Sequence, residues 1–132
     1  MSARPREIAA AARPSRLGFV GLGWIGRNRL DAVARRPDVE VAALHDVDPA
    51  KLDAAAGTYA EAARPESFDA LLDADLDGVV IATPNGCHAE QAIACLERGL
   101  PVFCQKPLAL DGAQTRAVVA AADRADRLLG VD

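Results

Sequence analysis

The chain has 132 residues, with 15 Lys and Arg against 19 Asp and Glu, for a formal net charge of −4. That length is one domain's, so an enzyme that holds its cofactor in one domain and its substrate in another is not expected, and the acidic balance argues against a nucleic-acid partner. Hydrophobic residues make up 51% and aromatics only 4%, which favours a core of Ala, Val, Leu and Ile over an aromatic recognition surface.

Residues 1–14 mix Arg4, Arg6 and Arg13 with the short run Ile8–Ala12, too brief and too weakly hydrophobic for a secretory leader, and read as a disordered tail. Residues 15–132 read as the folded domain. Leu17–Val20 is a buried strand that stops at glycines, and Trp24–Arg36 is a helix with cations at its C-terminal end and Pro37 as its stop. Val39–Leu44 forms a second strand. Asp48 caps a helix that starts at Pro49 and is expected to end before Gly57. Tyr59–Ala63 reads as a short edge strand, counted third, and Glu66–Leu72 as a short helix. Gly78–Ala82 is the fourth strand. Ala89, Ala92, Ile93 and Leu96 line one face of a helix that ends at Gly99, and Leu100–Cys104 is the fifth strand. Asp111, with Gln114 as its capping-box partner, opens a last long helix, and Leu128–Val131 begins a sixth strand. Strands alternating with crossover-length helices predict an α/β fold: a Rossmann-type, doubly wound, mostly parallel sheet with helices on both faces.

Cys87, Cys95 and Cys104 lie eight and nine residues apart with no Cys-x-x-Cys pair, so no metal site is expected, and small thiols in a reducing cytoplasm are. No apolar run is long enough to span a membrane.

Gly21-Leu22-Gly23-Trp24-Ile25-Gly26 matches G-x-G-x-x-G directly after a strand and at the start of a helix, the context a dinucleotide requires. Gly21 permits the tight turn, Gly23 the close approach of a pyrophosphate, and Gly26 the packing of helix on strand. Trp24 and Ile25 stand in the same turn, where the helix N-terminus offers free N–H groups to phosphates. Asp46 follows Gly26 by twenty residues, placed to accept both hydroxyls of the adenosine ribose and to repel a 2′-phosphate. NAD is the expected cofactor. NADP stays open because His45 and nearby arginines could accommodate a phosphate. A methyltransferase, whose glycine turn is more compact, fits less well.

Thr83-Pro84-Asn85-Gly86-Cys87-His88 and Gln105-Lys106-Pro107 follow the fourth and fifth strands, at the sheet edge where open α/β folds bind ligands. With these motifs in this order, Arg16–Asp132 resembles the N-terminal domain of the Gfo/Idh/MocA oxidoreductases. The resemblance implies an NAD(P)-binding Rossmann domain followed by a larger substrate domain that this chain does not contain. It implies hydride transfer between the nicotinamide and a hydroxyl or carbonyl of a sugar, inositol or related polyol. It places Thr83, Pro84, Asn85 and His88 along the cofactor cleft, with Gln105 and Lys106 beside them, and gives Lys106 a part in proton transfer as the catalytic residue of this chain. A cis bond between Lys106 and Pro107 is also implied.

A free lysine keeps its proton at neutral pH, but burial and an oxidised nicotinamide would each favour its neutral form. Gln105 stands where the family has glutamate, which removes a negative charge that would hold the Lys106 proton. The histidine and aspartate that the family's second domain supplies have no counterpart here, so Lys106 is half of a site, and this chain alone is not expected to turn over substrate. The other open reading is a non-catalytic nucleotide-binding module that needs a partner chain. The partners expected are the dinucleotide, a small polyol or sugar and, left open, a second copy of the chain; no nucleic acid or membrane is expected.

Overall fold

The computed structural model describes residues 13–132; the tail expected over residues 1–14 lies outside them except for its last two. Arg13 is already tied down, its guanidinium donating to both carboxylate oxygens of Asp77.

Five parallel strands form one sheet in the order β2-β1-β3-β4-β5. They are β1 (Ser15–Val20), β2 (Val39–His45), β3 (Gly78–Ile81), β4 (Val102–Cys104) and β5 (Leu129–Val131). The helices are α1 (Trp24–Ala34), α2 (Pro49–Thr58), α3 (Phe68–Leu72), α4 (His88–Glu97) and α5 (Gly112–Ala125). Alternation along the strands feeds two separate cores. Phe19, Leu44 and Val80 pack with Leu30 of α1 and Ala55 of α2, while Val20, Val79 and Ile81 pack with α3, α4 and α5 on the other face. The sheet is therefore covered on both sides, as the apolar strand runs require.

Three details differ from the sequence reading. Tyr59–Ala63 is not a strand: only Ala63 pairs with β2, its N–H donating to Ala42 and its carbonyl accepting from Leu44. Two bonds do not make a strand, so the segments expected after the fourth and fifth strands follow β3 and β4, and the run expected to begin a sixth strand is β5. Gly57 lies inside α2 and not beyond it. Tertiary bonds carry the helix on, with Arg27 donating to the Thr58 hydroxyl and the Tyr59 hydroxyl to Asp31. Gln114 does close back over the start of α5, but its side chain accepts from the N–H of Leu110, one residue before the cap.

Candidate functional site

The turn between β1 and α1 is built by its glycines. Gly21 has φ +89°, a left-handed conformation that side chains resist. A Cβ on Gly26 would lie 2.0 Å from the Gly21 carbonyl oxygen, so α1 can approach β1 only without one. Gly23 is different in kind. A Cβ there would meet nothing nearer than Lys51 Nζ, at 4.0 Å, so the fold itself does not demand glycine. The missing side chain leaves that backbone open to close approach, and the opening suits a bulky phosphate group.

The first turn of α1 is correspondingly bare. Asp48, Ser67 and Asp111 cap α2, α3 and α5 through their side chains. At α1, Gly23 offers no cap and the first turn holds no acid. The uncapped N–H groups and the helix dipole leave partial positive charge facing the cleft.

Asp46 closes this end of the site. Its Oδ2 accepts from the Leu22 N–H at 2.7 Å and its Oδ1 from the Asp48 N–H at 2.8 Å. The carboxylate thus bolts the end of β2 to the glycine turn while each oxygen keeps acceptor capacity for a diol. These residues open onto a cavity of about 600 Å³, within the range of small-molecule sites. Gly21, Gly23, Trp24, Ile25, Gly26, Asp46, Thr83 and Pro84, all expected from the sequence, line it.

Asn85, His88, Gln105 and Lys106 do not line that cavity. Asn85 starts a single 3-10 turn that leads into α4. His88 is fully buried behind the Thr83 turn, with both ring nitrogens against backbone carbonyls. The Gln105 Oε1 is buried without a partner. Lys106 is exposed, so the burial that would favour its neutral form is not supplied by the described residues. The Lys106–Pro107 bond is cis.

The structure adds residues the sequence reading passed over. Lys51, in the first turn of α2, faces the cleft beside Gly23 and brings a positive charge there. Val47 (92% exposed) and Phe68 give the wall an apolar surface, and Gln91 accepts from the Thr83 hydroxyl at 2.6 Å. The place of Lys51 in the first turn of the capped helix was the one available signal, and it is indistinguishable from a solvated helical lysine. His45 also lines the cleft, and its Nδ1 is buried without a partner.

Of the three thiols, Cys87 is exposed and lines the cleft. Burial pushes Cys95 up to about 12, with Cys104 nearby adding to it, and pushes Cys104 up to about 11. Both are inert packing groups. Among the described residues no cluster of three or more metal-ligating side chains occurs, and no helix is long and apolar enough to cross a membrane.

A parallel doubly wound sheet with a glycine turn, an uncapped helix start and an acid at the end of β2 defines a dinucleotide-binding Rossmann domain. Residues 15–132 match the GFO_IDH_MocA model, described as an oxidoreductase family with an NAD-binding Rossmann fold, and the chain belongs to that family. It is 35% identical over 108 residues to an inositol 2-dehydrogenase of Rhodococcus erythropolis, a match covering 80% of this chain and 31% of that protein. The WlbA dehydrogenase of Bordetella pertussis, solved with NADH and UDP-GlcNAcA, is similar at 33% identity and TM-score 0.86, over 92% of this chain and 35% of that one. A biliverdin reductase from Synechocystis, solved with biliverdin and NADP+, is similar at 29% identity and TM-score 0.85, over 90% of this chain and 38% of that one. The chain thus spans about a third of the length of the curated relatives it matches.

Proposed function

We propose that the chain is the cofactor-binding portion of an NAD(P)-dependent oxidoreductase that transfers hydride between the nicotinamide and a hydroxyl or carbonyl of a sugar, inositol or related polyol. The observation that carries this reading is the anchored Asp46 carboxylate beside the bare start of α1. That pairing suits a ribose diol on one side and a pyrophosphate on the other. The similarity to inositol 2-dehydrogenases supports the polyol.

When bound, the nicotinamide would supply the hydride acceptor or donor. The chain's own residues would hold and orient it. Gly23 and the N–H groups of Trp24, Ile25 and Gly26 would receive the phosphates, Lys51 would offset their charge, and Asp46 would select the ribose. Thr83 and Pro84 wall the cleft, with Asn85 and His88 beside and behind them, and Gln105 and Lys106 would complete the reacting end. Lys106 would take or return the hydroxyl proton, jointly with an acid/base group outside this chain. NAD is preferred, because the Asp46 charge opposes a 2′-phosphate, while Lys51 and His45 leave NADP accommodated. The unpaired thiols fit a reducing cytoplasm. Self-association of the whole protein belongs to the same reading.

A second reading, a nucleotide-binding module without catalysis of its own, is favoured by the exposure of Lys106 outside the cavity. Calorimetric titration separates the outcomes. Saturable binding of NADH, tighter than that of NADPH, is expected, and no saturable binding up to millimolar cofactor would end both readings. NADH formation by this chain alone over a panel of inositols and sugars would show that Lys106 needs no outside partner and would overturn the half-site assignment.

A further inference from the structure

His88 opens α4 with its ring fully buried. Its Nδ1 lies 2.6 Å from the Pro107 carbonyl oxygen, and its Nε2 lies 2.7 Å from the Thr83 carbonyl oxygen. A carbonyl oxygen can only accept, so each of these contacts needs a hydrogen on the ring nitrogen. A neutral imidazole has one N–H and one lone pair. In either neutral tautomer, one ring lone pair would face a carbonyl lone pair at hydrogen-bonding distance. The imidazolium form alone has a donor at both ends.

Burial and the positive end of α4 both oppose a charge there. Two charge-assisted hydrogen bonds favour it. The spacing of the two carbonyls decides between these effects, because it brings both oxygens within bonding distance at once.

We propose that His88 is a positioning residue, protonated on both ring nitrogens, that clasps the carbonyls of Thr83 and Pro107 and so fixes the Lys106 segment relative to the Thr83 wall of the cleft. The sheet alone holds that segment only on its near side. Gln105 N–H donates to Ile81 at 2.8 Å and Lys106 N–H to Asp132 at 2.7 Å, after which Pro107 has no N–H to give. The Pro107 carbonyl is an anchor just beyond these bonds, and His88 takes it. One part of this, the consequence for the reaction, rests on the functional reading above. The proton state of the ring does not.

The chain has two histidines, so 15N-histidine labelling gives two rings, and a His45→Gln variant assigns them. In the ligand-free protein at pH 7, both His88 nitrogens are expected to show the shift and one-bond coupling of N–H groups. A bare ring nitrogen at that pH overturns the proposal. No cofactor takes part, so a failure to bind NADH would count against the functional reading and leave this result standing. A His88→Asn variant tests the clasp. The two donors of an amide share one nitrogen and cannot span both carbonyls. Backbone resonances of Thr83–Asn85 and of Gln105–Lys106 should then shift together, with NADH binding weakened roughly tenfold, the scale of one buried hydrogen bond. Shifts confined to one of the two segments would overturn the coupling. Should that variant not fold, the ring spectrum of the natural protein still decides.

Discussion

At the glycine-turn end of the cleft, folding leaves polar groups over and aims them at a ligand. At the Lys106 end most polar groups are bonded within the fold or exposed, the buried Gln105 Oε1 excepted. Around Gly23 the helix start is uncapped, the Asp46 carboxylate retains free acceptor positions, and Lys51 faces inward. Around Lys106 the backbone is bonded to Ile81 and Asp132, His88 is spent on two carbonyls, and the lysine itself is exposed and does not line the cavity. The first end presents unspent polar groups of this chain to the cleft. The second is a frame whose backbone is fixed by its own hydrogen bonds.

The comparison breaks most sharply at Gly26. A Gly26→Ala Cβ would fall on the Gly21 carbonyl, against backbone that cannot rotate away. The variant is expected to lose about 1–3 kcal/mol of stability and to bring NADH binding below calorimetric detection. Normal binding would mean that the turn does not form the pyrophosphate site. Asp46→Ala comes next. Removing the charged acceptor for the diol should weaken NADH by at least the roughly 10- to 150-fold of one charge-assisted hydrogen bond. NADPH should lose less, because the same change removes a repulsion. Equal losses for the two cofactors in parallel titrations would withdraw the preference for NAD.

The same contrast explains what could be read without coordinates. The glycine turn and the caps at Asp48 and Asp111 are local devices, each set by residues a few positions apart, while Asp46 was legible through its fixed distance from the turn, and the structure brings its carboxylate to the Leu22 N–H. The Lys51 and Phe68 walls are tertiary. Nothing in the first turn of α2 or the start of α3 distinguishes them from a solvated lysine and a packing aromatic until the sheet order brings both to the cleft. His88 was legible as part of a motif but not as a buried clasp, since its partners lie in different loops. The short apolar stretch at Tyr59–Ala63 misled for a related reason. Its alternation imitates a strand, yet the Tyr59 hydroxyl is drawn to Asp31 at 2.6 Å and the chain turns away after one bridge. Gly57 reads as a stop signal only if the bonds of Thr58 and Tyr59 to α1 are unknown.

Those bonds give a smaller, pH-dependent test of the glycine-turn end. Asp31 accepts from the Tyr59 hydroxyl and from Arg27 Nε, and Arg27 also stacks over the Tyr59 ring at 5.8 Å. The Tyr59 hydrogen bond, more than the nearby arginines, holds the Asp31 carboxyl below its usual range. Its folded-state value is therefore depressed, so the stability it contributes is complete above the ordinary carboxylate range and fades as pH falls through the folded value. Tyr59 has the opposite sign. Burial first, then the Asp31 bond, pushes it from 10.0 up to about 12. Its contribution is whole below pH 10 and is lost as pH rises through about 12. Tyr59→Phe should cost about 1 kcal/mol at neutral pH and flatten both ends of the melting-temperature profile. An unchanged alkaline limb would show that α1 and α2 are not joined through this pair.

The smallest expected effect belongs to the other end. Lys106→Ala removes an exposed side chain that makes no hydrogen bond or ion pair among the described contacts, while the backbone bonds from Gln105 and Lys106 remain. Stability should stay within about 0.5 kcal/mol, as for surface positions generally. NADH affinity should change by less than roughly twofold, because the proposed function puts the groups that hold the phosphates and ribose at the glycine turn and not here. A loss as large as that of Asp46→Ala, measured in the same titration, would reassign Lys106 from proton transfer to cofactor recognition. It would also erase the distinction between the two ends, since the Lys106 segment would then recognise the dinucleotide as directly as the Gly23 turn does.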